Sequence, residues 1–478
     1  VKSAGKAQAK RLRARSFLLE LVERAALVRV ARAVRSLECE TVIEGGGGFL
    51  VRARGAVVPE VLDALGREIA AAVWKEFGGE VAFSLGWGAS PEEARSHLER
   101  GKRRPGAAAL TDGTGWNAEA FALPPLGRPC DVCGRRPGQH SVMEEDGEGW
   151  YCASCLEALR LGEGLARSRW AAVAERGQYR SLGVGFELSD EPRKGAFLAV
   201  RHIPRDPATR QPATFEDLAA RARGDRRLAV LKADVDDMGV RVGEVARADP
   251  TLGRLREFSR RLQGFFGEEV QELMRRDWPA MYTVYAGGVD LLAVGRWDVA
   301  LDFAAAMAQA FAEGPAREFG PLTLSAGVAL TPYRAPVRHA AGRAEELLET
   351  AKSREGKNRC AALGADWTWS RHETVIGDGK RLADWADAGI APRGFLYRLY
   401  CLAEGQRVDD AGPSAARWTD QVCRNLPAAR SEPEERKRFR DWALERRRFL
   451  EGGEVAELSA SLLYALLATR SKGKDADG

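Results

Sequence analysis

Two places in the chain carry residue types at spacings that could do chemistry. The first is acidic. The apolar run Leu228-Ala229-Val230-Leu231-Lys232-Ala233 ends in Asp234-Val235-Asp236-Asp237-Met238-Gly239. Further on, Thr283-Val284-Tyr285-Ala286 and Leu291-Leu292-Ala293-Val294 flank Gly287-Gly288-Val289-Asp290. A Gly-Gly pair between runs rich in Val, Tyr and Leu predicts a hairpin. Its turn sets Asp290 at the start of a strand beside bare backbone, where a metal ion and a triphosphate can come close. Asp234, Asp236 and Asp237 repel one another unless cations screen them. With Asp290 they form a candidate ligand set for Mg2+ or Mn2+, able to polarise a phosphate and activate a hydroxyl for in-line attack. The plainer alternative is a surface turn with a helix cap. Lys352 and Lys357 flank the Gly356 turn and could hold phosphates as point charges, or simply complement a helix C-terminus.

The second place is a quartet of cysteines. Cys130-x-x-Cys133 and Cys152-x-x-Cys155 are separated by eighteen residues. Two thiolates on a tight turn can point at one ion, and two such knuckles close a tetrahedron with no open position. The expected metal is a structural zinc. Gly134 after the first pair and Leu156-Glu157-Ala158-Leu159 after the second fit a ribbon followed by a helix. The other four cysteines (Cys39, Cys360, Cys401, Cys423) are scattered. That usage fits a reducing cytoplasm and one metal site, rather than a disulfide framework.

These residues need elements to position them. The chain has 478 residues, 45% of them hydrophobic, enough for several domains. No apolar run approaches a membrane span. The 73 Lys and Arg against 68 Asp and Glu leave a formal net charge of +5. The local clusters say more than the balance: Lys2 to Arg15, Lys102-Arg103-Arg104, and Arg436 to Arg448. Each could neutralise phosphates, although the last alternates with acids as a solvated helix face would. His97, His140, His202, His339 and His372 are isolated in sequence and suggest no metal site. No Gly-x-x-x-x-Gly-Lys-Ser/Thr loop and no Gly-x-Ser-x-Gly elbow is present.

Apolar periodicity predicts helices over Phe17–Val34, Val57–Phe77, Pro91–Arg100, Leu252–Met274, Val299–Phe311 and Ala340–Lys352. Strands are expected at Thr41–Glu44 and Phe49–Ala53 around Gly45–Gly48, at Glu80–Trp87 and at Leu322–Val328. The order of elements repeats. Aligning the hairpins pairs Thr41 with Thr283, Gly47 with Val289 and Gly48 with Asp290, so the first turn lacks the carboxylate of the second. Gly101-Lys102 then pairs with Gly356-Lys357. Each half has the order of a βαββαβ unit, with the opening strand of the first missing from this numbering. The expected class is α+β: two ferredoxin-like, palm-type domains at 1–122 and 183–366, a zinc-ribbon insert at 123–182, and a helical bundle at 367–478. The bundle comprises Leu382–Ala388, Gly394–Glu404, Ala415–Asn425, Glu434–Leu450 and Glu454–Leu467.

The run of motifs resembles one family. Arg13-Ala14-Arg15-Ser16-Phe17, the Gly45–Gly48 hairpin, the four-cysteine insert, Lys232-Ala233-Asp234-Val235-Asp236-Asp237, Tyr285-Ala286-Gly287-Gly288-Val289-Asp290 and Gly356-Lys357-Asn358 follow in the order of the Cas10 family. Members of this family are the large, palm-containing subunits of type III CRISPR–Cas effector complexes. The resemblance covers nearly the whole chain. It implies a cytoplasmic ribonucleoprotein with guide RNA (crRNA), target RNA, repeat-associated subunits and a small helical subunit as partners. It also implies ATP as the substrate for cyclic oligoadenylates at the second palm. Asp234 and Asp290 would be catalytic metal ligands, helped by Asp236, with Gly287, Gly288, Lys352 and Lys357 at the nucleotide. The family turn is Gly-Gly-Asp-Asp, whereas this chain has Gly-Gly-Val-Asp. Losing one carboxylate of so few is expected to cost on the order of 10²–10⁴ in rate. No His-Asp nuclease motif occurs between Val1 and Gly478, so DNA cutting is not expected of this chain.

Overall fold

The computed structural model describes residues 7–34, 38–55, 58–107, 127–144, 147–165, 168–193, 195–199, 201–409, 414–426, 433–450, 452 and 454–470. The expected start of the chain, part of its first basic cluster and the run Ala108-Ala109-Leu110 lie outside these residues. Two compact units divide the chain. The first holds Val1–Arg201, Met238–Glu268 and Ala286–Val289, and the second holds His202–Asp237, Glu269–Tyr285 and Asp290–Gly478. No described helix is long and apolar enough to cross a membrane.

The first unit is built around the helix α1 (Ala7–Ala33). The hairpin of β1 (Glu38–Gly45) and β2 (Gly48–Arg54) follows, then α2 (Pro59–Phe77) and α3 (Pro91–Lys102). One face of α1 buries Phe17, Leu21 and Ala25 against Leu161, Leu165, Phe186 and Phe197. Another buries Val22 and Ala26 against Ile69 and Val73 of α2. The sequence pattern shows one apolar stripe, and the structure uses two. Close approach makes this possible, because a Cβ on Gly162 would stand 2.1 Å from the Lys10 carbonyl oxygen. Residues 80–87 form no ladder, contrary to the strand expected there. The helix α3 instead lies directly on this segment, and a Cβ on Gly86 would meet the Ala94 carbonyl at 2.4 Å. The Trp87 N–H is turned toward His97 Nδ1 at 3.4 Å.

The cysteine segment is a hairpin of β3 (His140–Glu144) and β4 (Gly147–Tyr151), followed by the helix Ala153–Leu165. A four-stranded antiparallel sheet comes next, made of β5 (Trp170–Val173), β6 (Tyr179–Ser181), β7 (Val184–Ser189) and β8 (Phe197–Leu198), in the order β6-β7-β5-β8. This sheet crosses the boundary expected between residues 182 and 183, because β7 pairs back onto β5. The helix Gly253–Gly264 also belongs to the first unit, where Arg256 pairs with Glu40 and Gln263 donates to the Glu44 carbonyl.

The core of the second unit is a six-stranded sheet. Its strands are β9 (Arg227–Val235), β10 (Met281–Gly287), β11 (Asp290–Arg296), β12 (Leu324–Pro332), β13 (Arg359–Ala362) and β14 (Ala365–Thr368), in the order β10-β11-β9-β12-β13-β14. The first four have the order of a βαββαβ unit. Central β9 reads as a continuous apolar run because both of its faces are covered. The helices Trp297–Glu313 and Val337–Ser353 pack on the sheet through Phe303, Met307, Ala344 and Leu348. The stretch expected as one helix over Leu252–Met274 is broken by a wider, π-type turn at Phe265–Glu269. The break expected at Trp367 falls inside β14, since fully buried Trp367 completes the sheet edge. The C-terminal helices run Asp378–Asp387, Arg393–Asp409, Ser414–Asn425, Glu434–Glu445 and Val455–Ala468. The last is buried nearly all round and packs against the helices Asp378–Asp387 and Arg393–Asp409.

Gly327 shows how tightly this sheet carries its helix. A Cβ there would stand 2.2 Å from the Ala344 carbonyl and 2.4 Å from the Leu348 nitrogen. Gly327→Ala is therefore expected to lower stability by about 1–3 kcal/mol, read from the shift of the denaturant midpoint.

Candidate functional site

Antiparallel pairing of β11 with β9 sets Asp290 directly opposite Asp234, and on its other side Asp234 is the register partner of Ser325 in β12. Strand alternation therefore brings two carboxylates from distant sequence side by side at one end of the sheet. Like charges opposite each other are unfavourable, and basic groups answer them. Lys352, at the end of the helix Val337–Ser353, pairs with Asp234 Oδ2 and lies 3.4 Å from the Val235 carbonyl oxygen. Lys232 pairs with Glu345. Burial pushes the Asp290 carboxyl up to about 6 and the Asp234 charge adds to this, while Lys232 and Lys352 pull it back.

Asp236 sits differently. It is almost fully buried, and its Oδ2 accepts from Thr323 Oγ1 at 2.7 Å, Ser325 Oγ at 3.0 Å and the Asn358 N–H at 3.2 Å. Its N–H donates to the Thr323 carbonyl at 2.9 Å. This carboxylate ties the β9 exit to β12 and to the Gly356 turn. Asp237, with φ +53°, is turned outward and pairs with Lys357 at 2.5 Å. Lys357 and Asn358 both have positive φ, so the turn after the helix is strained twice in succession. The two lysines expected at phosphates thus meet aspartates here, one each. Among the described residues, Asp234, Asp236 and Asp290 do not form a three-ligand group with ligand atoms within 4.8 Å of one another.

The glycine turns have a structural use beside any ligand. Gly288 has φ +62°, and within the first unit a Cβ on it would stand 2.7 Å from Gly46 Cα. The first turn is also not free of carboxylate, as the sequence alone suggested. Glu23 of α1 reaches it and accepts the Gly47 N–H at 3.0 Å. Burial pushes the Glu23 carboxyl up to about 7, aided by Glu20 and opposed by Arg24. No local motif marks this contact, because Glu23 arrives from a separate helix. Thr323, Ser325 and Asn358 were missed for a similar reason: their use depends on β12 lying beside β9. His372 is likewise not isolated. Its Nε2 stands 3.4 Å from Asp302 Oδ1, and Lys380 holds the other oxygen at 2.6 Å.

The cysteines come together as the spacing requires. The sulfurs of Cys130, Cys133, Cys152 and Cys155 all lie within 4.8 Å of one another. The Gly134 N–H closes the first knuckle onto the Cys130 carbonyl at 2.9 Å, with Gly134 at φ +65°. The Leu156 N–H closes the second onto Cys152 at 3.0 Å, at the start of the helix. A hydrogen bond from Cys155 pulls the Cys133 thiol down to about 4, helped by N–H groups of Arg135 and Arg136. Four sulfurs, two of them buried, with no vacant donor position, suit a tetrahedral structural ion such as zinc.

This sheet, with its aspartates facing across adjacent strands, is a palm domain. Residues 227–361 match the family model described as Cas10/Cmr2, second palm domain. The chain is 26% identical over 460 residues to a protein of Thermococcus onnurineus described as a CRISPR system single-strand-specific deoxyribonuclease Cas10/Csm1 of subtype III-A, covering 83% of this chain and 56% of the relative. A Mycobacterium tuberculosis protein of the same description is 32% identical over 225 residues, covering 43% of this chain and 27% of that one. The chain thus spans little more than half the length of the first of these relatives. Among solved structures, a Csm1–Csm4 subcomplex of the type III-A interference complex superposes with a TM-score of 0.65 at 20% identity, over 97% of this chain and 67% of that one. A Csm1–Csm4 cassette bound to cA3 superposes with a TM-score of 0.64 at 19% identity, with the same coverage. Residues 227–361 thus match the second palm domain of Cas10/Cmr2, and the chain is similar over most of its length to a Cas10/Csm1 protein of subtype III-A.

Two measurements test the geometry. Metal analysis is expected to find one zinc per chain, retained on gel filtration and lost in Cys133→Ser. The Asp290 carboxyl is raised in the fold from an ordinary 3.8 to about 6. The fold therefore binds this proton more tightly than the unfolded chain does. Its contribution to stability is present below the lower value, falls as pH rises through the window, and is lost above it. Asp290→Asn is expected to melt higher than the native chain on the alkaline side and equally on the acid side, in thermal melts with EDTA.

Proposed function

We propose that this chain is the large subunit of a type III CRISPR RNA-guided effector complex acting in antiviral defence in the cytoplasm. In this reading a first palm, a zinc-binding insert, a second palm and a C-terminal helical domain anchor the 5′ end of the guide RNA and sense the target RNA. Its partners are guide and target RNA, a repeat-associated subunit of the kind that pairs with Csm1 in the superposed structures, and a small helical subunit. Synthesis of cyclic oligoadenylates from ATP with Mg2+ or Mn2+ is weakened or lost.

One observation carries the last point. The turn that should bring two carboxylates beside Asp234 brings Val289 and Asp290, and a valine cannot ligate a metal. Asp236 commits Oδ2 to Thr323, Ser325 and Asn358, which leaves only its buried, unpartnered Oδ1 to offer an ion. Asp234 and Asp290 with Lys352 suit one ion and a triphosphate, which supports ATP binding better than turnover. The second reading, a working cyclase, rests on the raised proton affinity of Asp290, a sign of closely set carboxylates that a divalent ion would relieve.

The test is the complex reconstituted with guide RNA, matched target RNA, ATP and Mg2+ or Mn2+. Chromatography of the products is expected to show cyclic oligoadenylates at the level of the Asp290→Ala complex. Abundant product from the native chain that disappears with Asp290→Ala would establish the second reading instead.

A further inference from the structure

Within the first unit, α2 and α3 enclose a cavity of about 610 Å³, a size common among ligand sites. Leu62, Ala70, Phe83 and Leu85 give it an apolar floor. Arg67 of α2 stands on one side, with Arg100, Arg103 and Arg104 from the end of α3 on the other. The one carboxylate in the lining, Asp63, is occupied by the Trp87 indole N–H at 2.7 Å.

The pairing of these arginines sets the cavity apart. Among the described residues, Arg67, Arg103 and Arg104 have no carboxylate partner, and Arg100 donates only to Ser96 Oγ at 3.1 Å. A second cavity, of about 500 Å³ in the second unit, is also lined by four arginines. There each is neutralised: Arg221 by Asp206, Arg223 by Asp384 and Asp387, Arg296 by Asp298, and Arg470 by Asp225. That cavity is a salt-bridge network, whereas the first holds exposed arginines that have no carboxylate partner among the described residues. A helix C-terminus accounts for some of the basic residues at the end of α3. It does not account for Arg67, which faces the same space from the middle of another helix.

We propose that this cavity binds nucleotide phosphate presented by single-stranded RNA, with guanidinium groups on successive phosphates and a nucleoside on the apolar floor. Planar, forked guanidinium groups suit phosphate oxygens, and several of them around an open rim suit charges repeated along a strand. The assignment rests on the reading of the chain as an RNA-handling subunit, but concerns a surface remote in sequence from Asp234 and Asp290.

The experiment titrates the isolated full chain with a labelled single-stranded RNA oligonucleotide, and separately with ATP, by fluorescence anisotropy at several salt concentrations. Arg67→Ala and Arg103→Ala are each expected to weaken RNA binding about tenfold, the effect of one charge-assisted contact. Each should also lower the salt slope by about 0.7, the value for one phosphate contact on a single strand. Arg221→Ala, from the neutralised cavity, is expected to leave both unchanged. Zinc content and melting temperature check that the variants fold, and Arg104→Gln replaces any that does not. Unchanged RNA affinity and salt slope would overturn the proposal. So would loss of ATP binding with RNA binding intact, which would assign the cavity to free nucleotide. Either failure leaves the role in the effector complex standing, because the product assay reads the second palm.

Discussion

Everything at the acidic end of the second palm follows from two aspartates held opposite each other on adjacent strands. Register alone puts Asp290 beside Asp234, and neither can step aside without flipping the alternation of its whole strand. The repulsion between them has to be met by cations. Lys352 from the sheet's covering helix does this for Asp234, and the Asp290 carboxyl responds by holding its proton more tightly. A divalent ion would do the same job more strongly.

The rest of the second unit keeps that pair in place. Buried Asp236 fixes the exit of β9 to β12 through Thr323 and Ser325, and to the strained turn at Lys357 and Asn358 through a backbone N–H. Gly327 lets the lysine-bearing helix lie against the sheet at backbone distance. The cysteine quartet is separate work: four sulfurs close the knuckles of the insert, and its helix is buried against α1.

Much of this was legible in the sequence, because it depends on local patterns. The Gly287-Gly288 hairpin, the cysteine knuckles and the C-terminal helices each announce themselves within a short window. Long-range pairing was less legible. Glu23 reaching the Gly45–Gly48 turn, the Thr323 and Ser325 cradle, and His372 beside Asp302 join residues whose partners sit on other elements. Residues 80–87 read as a strand by alternation, but glycine at 86 admits a helix onto the backbone and no ladder forms. The boundaries expected at 182/183 and 366/367 failed to allow for strands that pair back across them.

The central claim is that the second palm lacks one carboxylate and that this lack limits its chemistry. The most direct measurement is cyclic oligoadenylate formation by the reconstituted complex carrying Val289→Asp, beside the native complex under the same conditions. The account predicts a rise on the order of 10²-fold or more when the carboxylate is restored. Equal product from the two complexes, at a level well above that of Asp290→Ala, would contradict it.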